Sequence, residues 1–236
     1  MLEIILPFCI FACLSMGFTI AFCLVKNKTG STPLTLLLKT TASIMFVFGG
    51  IYILSINNSI SNMLIVFGLV LAMIGDIILE VKYIKPENKK FYFNFGLGSF
   101  LISALAYAAA TFIMWHSLDK FLILAIASIL LSVGFAAVIL LLEKPMKYNF
   151  TGYKVPLFSY SVALSFAVFL TLGVSIFVNG FFLLFIGVML VMLSDLVLSV
   201  MYFKDQENNK VLNIINHVVY YAGEIMVMAY LFFQLI

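Results

Sequence analysis

Eight long apolar stretches, separated by short polar connectors, make up almost the whole chain. They run from about 3–25, 33–56, 62–82, 91–115, 120–142, 155–178, 180–203 and 211–235. About 20 apolar residues, rising 1.5 Å each as a helix, match a hydrocarbon core about 30 Å thick. In such a core only helices satisfy their own backbone groups within a single segment. The pattern predicts an all-α integral membrane protein with eight transmembrane helices, forming one polytopic domain over 1–236.

Polar positions inside these stretches are few and grouped. The third span closes on "GDIILEVKYIK" from Gly75, and the seventh on "SDLVLSVMYFK" from Ser194. Spacings of three and four put Asp76, Glu80 and Tyr83 on one helical face, and Asp195, Ser199 and Tyr202 on another. The eighth span carries a longer stripe of Asn213, His217, Tyr220, Tyr221 and Glu224. Counting inward from the polar connectors puts Lys39, Asp76, Tyr160, Asp195 and His217 in one layer, off-centre in the bilayer. Glu224 and Tyr107 lie deeper. Ionisable groups at such depths are costly unless paired or hydrated, so they are expected to face the bundle interior. Three acids, one lysine and one histidine converging from several spans point to a functional cavity rather than a single structural ion pair. Glu80, Glu87 and Glu207 are read as solvated or interfacial.

"DIILEVKYIK" (76–85) and "DLVLSVMYFK" (195–204) agree at five of ten positions, 119 residues apart. Four spans per half preserve orientation. The chain therefore reads as two parallel repeats, about 1–118 and 119–236, related by an axis along the membrane normal. On that reading Asp76 and Asp195 face a shared interior at equal depth.

Charge changes the picture mainly through topology. Hydrophobic residues make up 64% of the chain and charged ones 10%, far from the composition of a soluble domain. All thirteen basic residues are lysines, and eleven cluster around 26–28, 82–90, 144–154 and 204–210. The opposite side has only Lys120, and Lys39 lies within a span. The positive-inside rule then places the lysine-rich connectors in the cytoplasm and both termini outside. The net charge of +3 reflects this asymmetry and is no nucleic-acid footprint. The first span lacks a basic segment ahead of its apolar run and is read as a true span, not a cleaved signal. Cys9, Cys13 and Cys23 form no CxxC pair, and two histidines cannot make a three-histidine zinc site. Neither a metal nor any other cofactor is expected.

Several of these residues also carry a resemblance. A buried lysine in span 2 and "GD" near the end of span 3 are followed by "GLGSFLISALAY" in span 4. Pro156 with Tyr160 in span 6, "SD" in span 7 and "YYAGE" in span 8 complete the series. In this order and placement, from about 33 to 230, they resemble the YhhN-type lysoplasmalogenase family. The resemblance implies an eight-span, multi-pass protein of the bacterial plasma membrane. It also implies hydrolysis of the vinyl ether bond of lysoplasmalogens, giving a fatty aldehyde and a glycerophospho-ethanolamine or -choline. The family's two intramembrane aspartates match Asp76 and Asp195. The chain departs from the family at Ala104, where members often carry a histidine three residues before the tyrosine matched by Tyr107. It departs again at Glu224, commonly Gln or His.

The chemistry suits paired carboxylates. A vinyl ether is cleaved by protonation on carbon, and the resulting oxocarbenium ion is captured by water. One carboxyl would deliver the proton while the other, kept ionised by Lys39, stabilises the cation. At this level either aspartate fits either role. Lys39 pairs with an aspartate or binds the substrate phosphate, and Tyr160, Tyr220 and Tyr221 orient substrate or water. The expected partners are a lysophospholipid substrate and membrane lipid, with no nucleic acid. A proton-coupled transporter or a non-catalytic lipid-binding membrane protein is the competing reading.

Overall fold

The computed structural model describes residues 2–235. Eight long helices are present among them: α1 (Leu2–Thr29), α2 (Pro33–Ile56), α3 (Ile60–Ile84), α4 (Lys89–Trp115), α5 (Phe121–Leu141), α6 (Lys154–Ser175), α7 (Phe182–Phe203) and α8 (Lys210–Phe233). Each is long and apolar enough to cross a membrane. A single 3₁₀ turn, Pro86–Asn88, links α3 to α4. The expected spans agree within a few residues. The main difference is α1, which continues past Lys26 and Lys28 to Thr29. Its last turn therefore stands beside the start of α2 and the end of α3, and not in a free loop.

Local sequence explains several helix starts. Thr32 caps α2 by accepting from the Thr35 amide at 3.3 Å, while the Thr35 hydroxyl accepts from the Thr32 amide at 2.8 Å. Pro33 follows as the first helical residue, where its missing N–H costs nothing. Asn209 caps α8 by accepting from the amides of Val211 and Leu212, at 3.1 and 3.2 Å.

Helix α8 is the centre of the bundle and touches α1, α2, α3 and α7. The broadest pairings are α3 on α4 and α7 on α8. Helix α5 leans mainly on α6 and turns Leu122, Ile123, Leu130 and Leu141 outward. Outward apolar side chains are the expected surface of a helix bathed in acyl chains.

The α7–α8 contact is close enough to require glycine. A Cβ on Gly223 would lie 2.8 Å from the Gly187 carbonyl oxygen, and one on Gly187 would lie 2.8 Å from the Val227 amide nitrogen. The two backbones therefore meet directly, as small residues permit between helices in lipid. This contact fixes α8, and with it Tyr220, Tyr221 and Glu224, against the helix bearing Asp195. On the other side, α4 is tied to α3 by Ser99 and Ser103, which donate to the carbonyls of Leu71 and Gly68 at 2.6 and 2.8 Å.

The lysine-rich connectors gather at one end of the bundle and cross-link it. Lys26 of α1 meets Glu80 of α3 at 2.8 Å, and Lys89 of α4 meets Glu207 of the α7–α8 connector at 2.8 Å. Asn27 donates to the Lys210 carbonyl at 3.3 Å.

Candidate active site

Asp76 lies on the inner face of α3 and is 2% exposed. Its Oδ2 accepts from the Ser43 hydroxyl at 2.7 Å and from the Tyr220 hydroxyl at 3.0 Å. Its Oδ1 stands 3.4 Å from the Lys39 ammonium. Behind this group, Tyr221 donates to the Lys39 carbonyl at 3.0 Å and lies 2.8 Å from the Ser43 hydroxyl. Helices α2, α3 and α8 thus hold one carboxylate with two hydroxyl donors and a cation. Every member is buried, a condition under which a carboxylate is tolerable only if paired and hydrogen-bonded.

Asp195 is built differently. Its Oδ2 accepts from the Tyr160 hydroxyl of α6. Among the described residues it forms no ion pair. Its neighbour Ser194 is held by Asn216 of α8, which donates to the Ser194 carbonyl at 2.7 Å. That contact fixes the α7 backbone next to the carboxyl.

Three spaces with shared lining residues lie at and beside the two aspartates. A small polar pocket is lined by Lys39, Asp76, Asp195, His217 and Tyr220, together with Lys26, Glu80 and Lys82. An apolar pocket runs between α3, α4, α5, α6 and α7, with Tyr160 and Asp195 among few polar groups in a wall of Phe, Leu and Ile. The two pockets share Leu79, Phe100, Asp195 and Leu198. Asp195 therefore stands at the junction of a charged space and a greasy one. A third space, a polar vestibule at the lysine-rich end, shares Lys26 and Tyr83 with the polar pocket.

The residues singled out in the sequence divide into three groups. Lys39, Asp76, Asp195, His217 and Tyr220 meet around the polar pocket, and Tyr160 joins them through Asp195. Tyr221 sits behind the pocket as a support. Tyr107 and Glu224 form a buried pair one helical turn beyond Tyr220, with the Tyr107 hydroxyl 3.0 Å from Glu224 Oε2, and line none of the three spaces. His217 Nδ1 lies 2.8 Å from the Asn213 carbonyl, so that nitrogen carries the hydrogen. Its ring packs on Phe22 with centroids 4.7 Å apart.

Glu80 overturns the expectation of a solvated side chain. It is fully buried, paired with Lys26 and accepting from the Thr35 hydroxyl at 3.0 Å. Glu207, also expected in solvent, bridges Lys89 and the buried Lys82. Glu87 is exposed, as expected. Lys26 and Lys82 were legible only as topological markers, yet both line the polar pocket. The heptad-like spacing of Asp76, Glu80 and Tyr83 was the one signal that Glu80 turns inward. Ser43, one turn beyond Lys39 on α2, carried no comparable signal.

The Glu143 carboxyl, outside the membrane-spanning helices, is held below the usual glutamate range, chiefly by its hydrogen bond with Lys154 and also by the Phe150 amide. Among the described residues no three His, Cys, Asp or Glu side chains cluster closely enough to share a metal ion.

No curated protein and no solved structure matches the chain. A family model described as the YhhN family matches residues 34–231, a stretch that contains both aspartates, Lys39, Tyr160 and the α8 stripe. The chain belongs to the YhhN family.

Proposed function

We propose that the protein hydrolyses the vinyl ether bond of lysoplasmalogens at the junction of the two inner pockets. The observation that carries this reading is the position of Asp195, on the wall common to an apolar and a charged space. A single-chain ether lipid has the same division. Its alkenyl chain suits the apolar pocket, its head group suits the polar one, and the enol ether linking them falls at the carboxyl.

The surroundings of the two aspartates divide the work. Asp76, with Lys39 and two hydroxyl donors, is the anion. Asp195, with a phenol and, among the described residues, no counter-charge, is the proton donor. A buried carboxyl without a cation is better accommodated neutral. Tyr160 donates to Oδ2 and leaves Oδ1 to present the proton.

The proton passes from Asp195 to the alkenyl carbon β to the ether oxygen, and the carbon–carbon π electrons form the new C–H bond. The resulting oxocarbenium ion is stabilised by the Asp76 carboxylate. Water from the vestibule adds to the cationic carbon and gives up a proton to Asp195, which restores the acid. The hemiacetal then collapses. Its hydroxyl proton is transferred to the departing glycerol oxygen, the C–O bond breaks, and the fatty aldehyde and glycerophospho head group separate.

Part of the contact pattern supports the parallel-repeat reading, while α1 on α8 has no equally broad counterpart in α5 on α4. α1 on α2 parallels α5 on α6, and α2 on α3 parallels α6 on α7. α3 on α4 parallels α7 on α8, and α2 on α8 parallels α6 on α4. With the lysine-rich end in the cytoplasm, the vestibule opens on that side.

The test is incubation of purified protein with a lysoplasmalogen and, separately, with its 1-acyl counterpart. Fatty aldehyde from the first and no fatty acid from the second is the expected result. Fatty acid release from the acyl lipid, or no aldehyde from the vinyl ether, would overturn the proposal.

A further inference from the structure

We propose that Lys39 and Lys82 form an anion subsite that receives the phosphodiester of the lipid head group, so that the protein selects phosphorylated over neutral single-chain ether lipids. This rests on the ether-lipid reading above but concerns binding rather than bond cleavage.

Lys82 is the observation that leads to it. It lies on the last turn of α3 and is 1% exposed, yet its nearest carboxylate, Glu207, is 3.6 Å away. That carboxylate is already engaged by Lys89 at 2.8 Å. The ammonium is otherwise faced by the rings of Tyr202, Tyr83 and Phe93, at 4.1, 4.3 and 5.2 Å from their centroids. Aromatic faces attract a cation but do not satisfy its three N–H donors as oxygen acceptors do. Lys39 is in a similar position. It is 5% exposed, and its carboxylate partner lies 3.4 Å away, long for a charge-assisted hydrogen bond. Both side chains line the polar pocket. Lys26 differs, because Glu80 satisfies it at 2.8 Å.

Charge counting agrees. Of the groups lining the polar pocket, Lys26, Lys39 and Lys82 stand against the carboxylates of Asp76 and Glu80, with Asp195 read as the neutral acid. One positive charge is in surplus around a buried space. A phosphodiester carries one negative charge and two non-bridging oxygens that accept from ammonium donors. Its place in the polar pocket, beside Asp195, lies on the head-group side of the ether bond.

The test is binding of a 1-alkyl lysophospholipid, which has no vinyl ether to cleave, compared with 1-alkylglycerol. Wild type is expected to prefer the phospholipid. Lys82→Met should weaken phospholipid binding roughly tenfold to a hundredfold and leave 1-alkylglycerol unchanged. Glu207→Gln releases Lys82 from its carboxylate and should tighten phospholipid binding alone, which keeps the proposal testable if Lys82→Met fails to fold. Lys89→Met frees Glu207 to pair with Lys82 and should weaken phospholipid binding alone. Equal affinity of wild type for the two lipids, or an unchanged preference in both Lys82→Met and Glu207→Gln, would overturn the subsite. Displacement of the bound lipid by inorganic phosphate at equal concentration would assign the lysines to a free anion and overturn the head-group assignment. Phospholipid selectivity without aldehyde release in the separate turnover assay would leave the subsite standing and remove the hydrolase reading.

Discussion

The Asp76 and Asp195 sites begin from nearly the same sequence, Asp-x-x-Leu-x-Val-x-Tyr-x-Lys, and end in opposite electrostatic settings. Around Asp76 the bundle supplies a lysine from α2, a serine one turn away and a tyrosine from α8. Around Asp195 it supplies one phenol from α6 and, among the described residues, no cation. The difference does not lie in the ten-residue windows. It lies in the helices packed against them, since α2 carries Lys39 and Ser43 towards Asp76 while α6 carries Tyr160 towards Asp195. Two similar carboxyl groups can acquire the roles of anion and acid in this way, through partners contributed by other segments.

The largest expected effect comes from removing the acid. Asp195→Asn should lower aldehyde release by about 10²- to 10⁴-fold, the range of a lost general acid. Measured with saturating substrate, the loss should appear in kcat with KM little changed. An Asn variant that retains turnover would break the comparison.

Lys39→Met should act on the other side. It leaves the Asp76 carboxylate buried without its cation, which costs about 3–5 kcal/mol in comparable buried pairs. A lower unfolding midpoint in detergent and loss of turnover should appear together. The Lys39→Met, Asp76→Asn double variant should recover the stability but not the turnover.

Gly223→Ala probes the shared scaffold. Forcing a methyl group against the Gly187 carbonyl should cost about 1–3 kcal/mol, read as a lower midpoint of unfolding. Both sites should suffer, because α8 holds Tyr220 on one aspartate and Asn216 beside the other.

Tyr160→Phe sharpens the contrast further. It removes the one hydrogen bond to Asp195 and should lower turnover about tenfold, whereas Ser43→Ala, which leaves Lys39 and Tyr220 on Asp76, should cost less than that. Equal losses in the two variants would mean that the sites are equivalent.

The smallest effect is expected at Glu143, on the surface connector. Its folded carboxyl titrates below its unfolded range because of Lys154, so the pair stabilises the protein at neutral pH. That contribution is lost as pH falls through the folded value, and Glu143→Gln should flatten this part of the stability profile without changing turnover.

Much of this arrangement was legible in the sequence because depth along a helix is a matter of counting. The eight spans, the layer containing Lys39, Asp76, Tyr160, Asp195 and His217, and the inward face of α3 follow from run lengths and spacings of three and four. Azimuth between helices does not follow in the same way. Glu224 and Tyr107, deeper than that layer, meet each other beside the pockets. Glu80 looked interfacial because its partner, Lys26, lies 54 residues away on α1. Lys82 looked like an ordinary flanking lysine, since its burial depends on Tyr83, Phe93 and Tyr202 closing over it.

The division between a charged Asp76 and a proton-bearing Asp195 can be read without any substrate. Infrared difference spectra at neutral pH, wild type minus Asp195→Asn and wild type minus Asp76→Asn, isolate each carboxyl. A protonated-acid carbonyl band should be lost with Asp195, and only carboxylate bands with Asp76. Carboxylate bands lost with Asp195, or a protonated band lost with Asp76, would contradict that division.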